Sequence, residues 1–454
     1  MRIIIVGAGV IGANLAQSLS EENHIVFLIE NDEQVAQRIS DKLDVKVITG
    51  NGADPDTLKQ IDIEQADLVI AVTTSDETNL VVCSLAANFG AKRRIARVRN
   101  TALSQTIQQF GFSKFYIDEI INPEEVAAQS IIKTIETPGA SEVADFAQGQ
   151  ILLRSFDVKA NSPLNGQRME ELRVEDFPWP FLIVAVTRDG KVTIPQGKTT
   201  INAGDRIYAL LPAPSLGEFL TFVDPEIRLP RKIVIYGAGD IGERVARSLS
   251  RNIRDITLIE EDVGLAEAIA GRLESVRIIN GSASSTEILT ECGIEAADAF
   301  VAATGNDHSN LVSAVLAKKM GAKTTIITTQ QPDYMSIVDV LDIDAIINPR
   351  LLAADQILRV VRGKGIRSVT QLIEGDAEAL ELIPEDGAPI TQSPLKDIHF
   401  PKDCIVGAVY RGSEVILAKG DTQIRSGDRV IAFCQEAAAK KLQALFTRRK
   451  ILAF

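Results

Sequence analysis

Ile3-Ile4-Ile5-Val6-Gly7-Ala8-Gly9-Val10-Ile11-Gly12 is the stretch on which the reading of this chain turns. A β-branched run ends in a glycine-rich turn, and a helical pattern follows at once. Gly7 permits a tight turn, Gly9 lets the backbone approach a pyrophosphate, and Gly12 lets the helix pack close to the strand. Free N–H groups at the helix start then face the phosphates, favoured by the helix dipole. The stretch predicts a nucleotide-binding turn of Rossmann type, with Gly7, Ala8, Gly9, Val10, Ile11 and Gly12 as candidate binding residues.

The motif returns as Gly237-Ala238-Gly239-Asp240-Ile241-Gly242 behind Ile233-Val234-Ile235-Tyr236. Other segments repeat in the same order. Leu28-Ile29-Glu30 matches Leu258-Ile259-Glu260, Asn79-Leu80-Val81 matches Asn310-Leu311-Val312, and Ile121-Asn122-Pro123 matches Ile347-Asn348-Pro349. The offset is about 230 residues, far too long for a solenoid unit, so the chain reads as a duplicated two-domain module. Two loops are less alike. Gly50-Asn51-Gly52-Ala53-Asp54 aligns with Asn280-Gly281-Ser282-Ala283-Ser284, and Val72–Asn79 with Ala303–Asn310.

Glu30 and Glu260 fall at the end of the second strand of each module, equally far behind Gly12 and Gly242. A carboxylate there accepts hydrogen bonds from ribose hydroxyls and repels a 2′-phosphate, which favours NAD(H) or a plain adenine nucleotide over NADP. Thr73 and Thr304, at the carboxyl end of the fourth strand, are placed to contact the nucleotide. Arg97 closes the fifth strand and is a candidate phosphate partner; its counterpart is the neutral Thr328.

In module one, strands are expected near 2–6, 25–29, 45–48, 67–72, 93–98 and 114–121, alternating with helices. That alternation predicts α/β architecture with a doubly wound parallel sheet. A helical stretch from Glu124 to Glu136 ends at Thr137-Pro138-Gly139; its counterpart, from Leu351 to Arg362, is closed by Gly363. Short alternating runs then predict a small α+β domain in each module, with hairpin or turn signals at Asp189-Gly190, Gly204-Asp205, Arg411-Gly412 and Gly427-Asp428. The expected boundaries are 1–122 (Rossmann-type), 123–141 (connecting helix), 142–224 (small α+β), 231–347 (Rossmann-type), 348–365 (connecting helix) and 366–450 (small α+β), with a proline-bearing linker at 224–230.

The bulk composition agrees. A chain of 454 residues implies about three or four domains. Aliphatic residues dominate and aromatics make up only 5%, a bias that suits buried parallel sheets flanked by helices. The net charge of −13 argues against a nucleic-acid partner, which needs a basic face. Arg448-Arg449-Lys450 reads as a solvated tail. The four cysteines, Cys83, Cys292, Cys404 and Cys434, are far apart in sequence and suggest neither a zinc site nor a disulfide framework. The first strand starts directly behind Met1 and no apolar run reaches the ~20 residues of a membrane span. A cytoplasmic location is expected, with any membrane role exercised through a partner.

No catalytic constellation is evident. His24, His308 and His399 are scattered, and only His308 lies in a site loop, where it reads as a surface residue. No catalytic or metal-binding residue is therefore expected, and binding is preferred to turnover. The alternatives are an NAD-dependent oxidoreductase and a nucleotide or redox sensor acting on soluble partners.

The duplicated turn, Ala71-Val72-Thr73-Thr74-Ser75-Asp76-Glu77-Thr78-Asn79, Asn88–Arg97 and Gly407-Ala408-Val409-Tyr410-Arg411-Gly412 together resemble the TrkA family of bacterial Trk potassium-uptake systems. The resemblance spans the chain in the order RCK-N, RCK-C, RCK-N, RCK-C. It implies a cytoplasmic regulatory subunit, peripheral to the inner face of the membrane, that gates a potassium transporter in response to NAD(H), ATP or ADP. It further implies a homo-oligomer, a tetramer forming a ring of eight Rossmann units. On the family pattern Gly7, Gly9, Gly12, Glu30, Thr73, Thr74 and Arg97 serve the first site, and Gly237, Gly239, Gly242, Glu260 and Thr304 the second.

Overall fold

The computed structural model describes residues 1–172, 177–337, 341–362, 366–371 and 377–448. Gly363, the expected stop of the second connecting helix, and the last two residues of the basic tail cluster lie outside them.

Strands β1 (Arg2–Val6), β2 (Ile25–Glu30), β3 (Lys46–Thr49), β4 (Leu68–Ala71), β5 (Arg94–Arg97) and β6 (Glu119–Ile121) form the first sheet. β7 (Ala140–Phe146), β8 (Ile151–Asp157), β9 (Leu182–Arg188), β10 (Lys191–Thr193) and β11 (Arg206–Pro212) form the second. The third contains β12 (Lys232–Tyr236), β13 (Asp255–Glu260), β14 (Arg277–Asn280), β15 (Ala299–Ala302), β16 (Thr324–Thr328) and β17 (Ala345–Ile347). The fourth contains β18 (Ile366–Gln371), β19 (Ala377–Leu382), β20 (Cys404–Arg411), β21 (Glu414–Leu417) and β22 (Arg429–Gln435).

One compact unit combines Met1–Ile132 with Pro230–Leu358 and holds the two parallel sheets. Their orders are β3-β2-β1-β4-β5-β6 and β14-β13-β12-β15-β16-β17. Every strand pair in them is parallel, so helical crossovers cover both faces. Ile3, Ile4 and Ile5 are accordingly buried whichever face they point to. Side-chain caps fix where helices begin: Asp32 before Glu33–Ser40, Asp54 before Pro55–Lys59, Ser75 before Asp76–Asn88 and Asn100 before Thr101–Phe110. The sheet order reverses between β1 and β4, and the glycine turn lies at this switch point, where open α/β sheets bind ligands. Arg244 of the second Rossmann-type domain donates to the Thr101 hydroxyl of the first at 2.5 Å.

Two expectations are corrected. The strand expected from residue 114 begins at Glu119, because Phe112–Phe115 form a 3-10 turn ending at the left-handed Tyr116. The loop after the third strand aligns one residue differently. Glu30 pairs with Thr49 and Glu260 with Asn280, so Gly50 corresponds to Gly281, Asn51 to Ser282, Gly52 to Ala283 and Asp54 to Ser285. Gly50 and Gly281 each donate to the carbonyl of the preceding strand's glutamate.

The other unit combines Lys133–Leu229 with Arg359–Phe454 and holds two antiparallel sheets, ordered β10-β9-β11-β8-β7 and β18-β19-β22-β20-β21. Asp189 and Gly190 both take positive φ, as a two-residue hairpin loop requires, and join β9 to β10. The two sheets share one core, where Tyr208 and Leu210 of the first pack with Ala379, Ala408 and Phe433 of the second. Each small domain repeats an ionic clamp. Asp205 takes a bidentate pair from Arg188 at 2.6 Å, and Asp428 takes one from Arg411 at 2.9 and 2.6 Å. The Gly-Asp pairs seen in the sequence mark these clamps.

Candidate functional site

The three glycines of the first turn have different surroundings. Gly7 has φ +103°, and a Cβ on it would lie 3.0 Å from the backbone nitrogen of Thr73. A Cβ on Gly12 would lie 1.8 Å from the Gly7 carbonyl oxygen, so the helix touches the turn itself. Gly9 has open space around it, with nothing within 4 Å of where a Cβ would be. The protein's packing does not require Gly9 to lack a side chain. Helix Val10–Glu21 begins there with no side-chain cap and no acid in its first turn, which leaves its N–H groups and positive dipole end unanswered.

Glu30 is turned onto the glycine loop. One carboxylate oxygen accepts from Ala8 N–H at 2.7 Å, and the other from Asn31 and Asp32 N–H at 2.8 and 3.1 Å. These charge-assisted bonds fix the carboxylate beside the cleft and leave lone pairs for hydroxyl donors. Asn79, fully buried, braces the opposite wall. Its oxygen accepts from the Thr73 N–H and hydroxyl at 2.9 and 2.8 Å, and its nitrogen donates to the carbonyls of Thr73 and Arg97 at 3.2 and 2.9 Å. The Thr73 hydroxyl proton is thus spent on the brace, and Thr73 offers the cleft shape rather than a donor.

Arg97 is 8% exposed. Its guanidinium donates to the Thr73 carbonyl at 3.3 Å, and its Nε has no hydrogen-bond partner among the described residues. Burial lowers its pKa, with the Glu124 carboxylate opposing and the neighbouring Arg99 and Arg350 charges reinforcing that shift. A buried cation so poorly answered is costly unless an anion completes it.

A cavity of about 700 Å³ collects these groups. Of the expected residues for the first site, Gly7, Gly9, Val10, Ile11, Glu30, Thr73, Thr74 and Arg97 line it, whereas Ala8 and Gly12 do not. Arg99, which is ion-paired to Glu124 at 2.8 Å, also lines it, as do Gly305 and Gln330 of the second Rossmann-type domain and Pro349 and Arg350 at the start of the connecting helix behind it. Sequence reasoning missed Arg99 and Arg350. The repeat carried a signal for the latter: Arg350 follows Asn348-Pro349 where module one has Glu124 after Asn122-Pro123, a reversal of charge at one position.

The second turn keeps the backbone design. Gly237 has φ +102°, a Cβ on Gly242 would fall 1.8 Å from the Gly237 carbonyl, and Gly239 is open. Glu260 accepts from Ala238 N–H at 2.7 Å and from Asp262 N–H at 3.0 Å, and Asn310 holds Thr304 as Asn79 holds Thr73. The chemistry differs. Asp240 and Glu243 occupy the first turn of helix Asp240–Leu249 and already answer its dipole. Tyr236 stands where Val6 stands, and its hydroxyl donates to Glu261 and contacts Ser282. Thr328 replaces the Arg97 cation, and its carbonyl takes the Asn310 amide at 3.0 Å. His308, expected in the loop, lies in the first turn of helix Asp307–Lys319 beside the Tyr334 ring, outside the lining of the first cavity.

Among the described residues no group of three or more His, Cys, Asp or Glu is placed to hold a metal, and no helix is long and apolar enough to cross a membrane.

Comparison with known proteins agrees with this architecture. The TrkA-N domain family matches residues 3–123 and 233–349, and the TrkA-C domain family matches 153–223 and 380–447. The Trk system potassium uptake protein TrkA homolog of Archaeoglobus fulgidus is 33% identical over 446 residues, covering 98% of this chain and all of its own length. The Trk system potassium uptake protein TrkA of Vibrio alginolyticus is 32% identical, with 98% of each chain covered. In fold, the chain resembles the GsuK channel bound to NAD (TM-score 0.62, 16% identity, 98% of this chain and 78% of that one) and the GsuK RCK domain (TM-score 0.61, 17% identity, 98% and 94%). With four domain matches in tandem and relatives aligned from end to end, the chain belongs to the TrkA family of Trk-system potassium uptake proteins.

Proposed function

We propose that this chain is the nucleotide-sensing regulatory subunit of a membrane potassium-uptake transporter, and that its principal sensor site is the first cleft. The observation that carries the reading is the buried, incompletely bonded Arg97 beside an uncapped helix N-terminus and an open Gly9. Such a cradle fits the phosphates of NAD(H), ATP or ADP. In this reading Gly7, Gly9, Val10 and Ile11 face the pyrophosphate, with Ala8 and Gly12 shaping the turn from outside the lining, Glu30 receives the ribose, and Thr73, Thr74 and Arg97 form the far wall. Gly237, Ala238, Gly239, Asp240, Ile241, Gly242, Glu260 and Thr304 form a second site that is weaker for anions, because acids already occupy its helix start and Thr328 replaces the cation.

The names of the relatives point to potassium uptake. The chain would act as a cytoplasmic homotetramer with eight Rossmann units in a ring beneath the membrane partner. A nucleotide shifts that ring only by binding one of its shapes more tightly than another. Arg350 gives a physical route for this, since it would bring the second module's connecting helix to a ligand seated in the first cleft.

Calorimetry of the full chain with NADH, NAD, ATP and ADP tests the site. Arg97→Gln should weaken binding roughly 10- to 150-fold, the worth of a charged hydrogen bond at about 1.5–3 kcal/mol. Unchanged affinity would refute the assignment. Potassium flux through the reconstituted membrane partner, with and without nucleotide, tests the regulatory role; flux indifferent to this chain would remove it.

A further inference from the structure

Cys404 and Cys434 are distant in sequence, yet the fold makes them direct partners across the antiparallel β20–β22 ladder. Gln435 N–H donates to the Asp403 carbonyl at 3.1 Å, so residues 403 and 435 form the hydrogen-bonded pair and 404 and 434 the adjacent non-hydrogen-bonded one. At such positions Cα atoms are about 4.5 Å apart and the side chains are closest. That separation falls inside the range a disulfide spans. Both side chains pack into one core cluster, on the sheet face opposite the one shared with the first small domain. We propose that Cys404 and Cys434 form a reversible dithiol–disulfide site, closed by exchange with a low-molecular-weight disulfide.

The two cysteines divide the work. Cys434 is 1% exposed, whereas Cys404 is only half-buried and is the thiol a reagent meets first. The closeness of the two thiols holds Cys404 below the usual thiol range and, with burial, pushes Cys434 above it. Cys404 is therefore the attacking sulfur. Its thiolate cleaves the reagent's S–S bond, forming a mixed disulfide and releasing one thiol. The Cys434 sulfur then displaces the second reagent thiol from Cys404. The protein dithiol loses two electrons and two protons, and the reagent disulfide takes them up as two thiols. Cys83 and Cys292 lie in the two Rossmann-type cores, where burial pushes their thiols up to about 12 and about 11, and they serve as inert internal controls. Closure would staple β20 to β22 just before helix Glu436–Gln443.

The test treats the full chain with oxidised glutathione, alkylates the remaining thiols after unfolding, and maps peptides without reduction. The expected result is a Cys404–Cys434 linked peptide, two alkylated cysteines instead of four, no retained glutathione, a higher melting temperature, and full reversal by dithiothreitol. Cys434→Ser should stop at a glutathione adduct on Cys404, while Cys404→Ala should take up none. Four alkylatable cysteines in the treated native chain, or a glutathione adduct on Cys404 that never resolves, would overturn the proposal. The parent chain supplies both of those outcomes, so a variant that fails to fold does not shelter the proposal.

Discussion

Gly9→Ala separates the ligand from the fold. The added Cβ meets no protein atom within 4 Å, and residue 9 has φ −65° and ψ −175°, which alanine adopts freely. The stability effects nearly cancel. Alanine is a poorer N-cap than glycine by up to ~1 kcal/mol, and reduced freedom of the unfolded chain returns ~0.4–1 kcal/mol. The melting temperature should move by no more than a few degrees. Binding is another matter, because the methyl group occupies the space through which the turn's N–H groups reach a phosphate. Loss of a single charge-assisted bond is worth about 1.5–3 kcal/mol, or roughly 10- to 150-fold in Kd. Gly12→Ala is the contrasting control. Its Cβ would lie 1.8 Å from the Gly7 carbonyl oxygen, so the helix must move, at a cost of at least ~1–3 kcal/mol in stability. Calorimetry with NADH and ATP, paired with thermal melts of the same samples, reads both quantities. A Gly9→Ala chain that melts normally and binds within twofold of the parent would show that no phosphate sits at this turn.

Three further perturbations probe other parts of the molecule. Arg350→Ala should leave the melting temperature unchanged and weaken nucleotide binding to the first site about tenfold, in line with one partly solvated charge contact; calorimetry that finds no loss would exclude a contact between Arg350 and the ligand. Asp205→Asn should destabilise the small domain by about 2–3 kcal/mol, because it weakens the bidentate pair to Arg188 around a nearly buried carboxylate; urea titration measures it. Asp67 is held at a pKa of about 2 by its hydrogen bonds to Lys92 and to the Arg2 N–H. Its folded-state value is depressed, so its contribution is present above the unfolded value near 3.8 and is lost as pH falls towards about 2. Acid titration of Asp67→Asn should therefore be shallower than that of the parent across this window, and identical curves would contradict the assignment.

Much of the Rossmann-type architecture was legible because its strands are buried on both faces and read as continuous aliphatic runs, Ile3-Ile4-Ile5 above all. The small domains were read less completely. β7 and β18 are edge strands, and Ala140–Phe146 alternates too weakly to announce itself beside the apolar β8 and β11. The glycines and glutamates of the site were visible because each performs a local, backbone-level task with a sequence spacing of its own. Arg99 and Arg350 were not, since the cleft gathers them through tertiary packing with no fixed spacing. The same holds for Cys404 and Cys434, which only strand register brings together. The one-residue shift between Gly50 and Gly281 escaped detection because both loops contain an Asn-Gly or Gly-Asn pair, which composition alone aligns in either frame.

Asn79 and Asn310 each hold a threonine loop and the end of the next strand from beneath, with every amide hydrogen bond made inside the protein. The loops therefore owe their shape to the buried amide and nothing to what rests on top of them. This separates scaffold from chemistry: the residues facing the cleft carry no duty to the sheet. A guanidinium at Arg97 and a hydroxyl at Thr328 sit on the same carbonyl support, so the two halves of the chain differ in what they present to the cleft without any change in the brace that frames it.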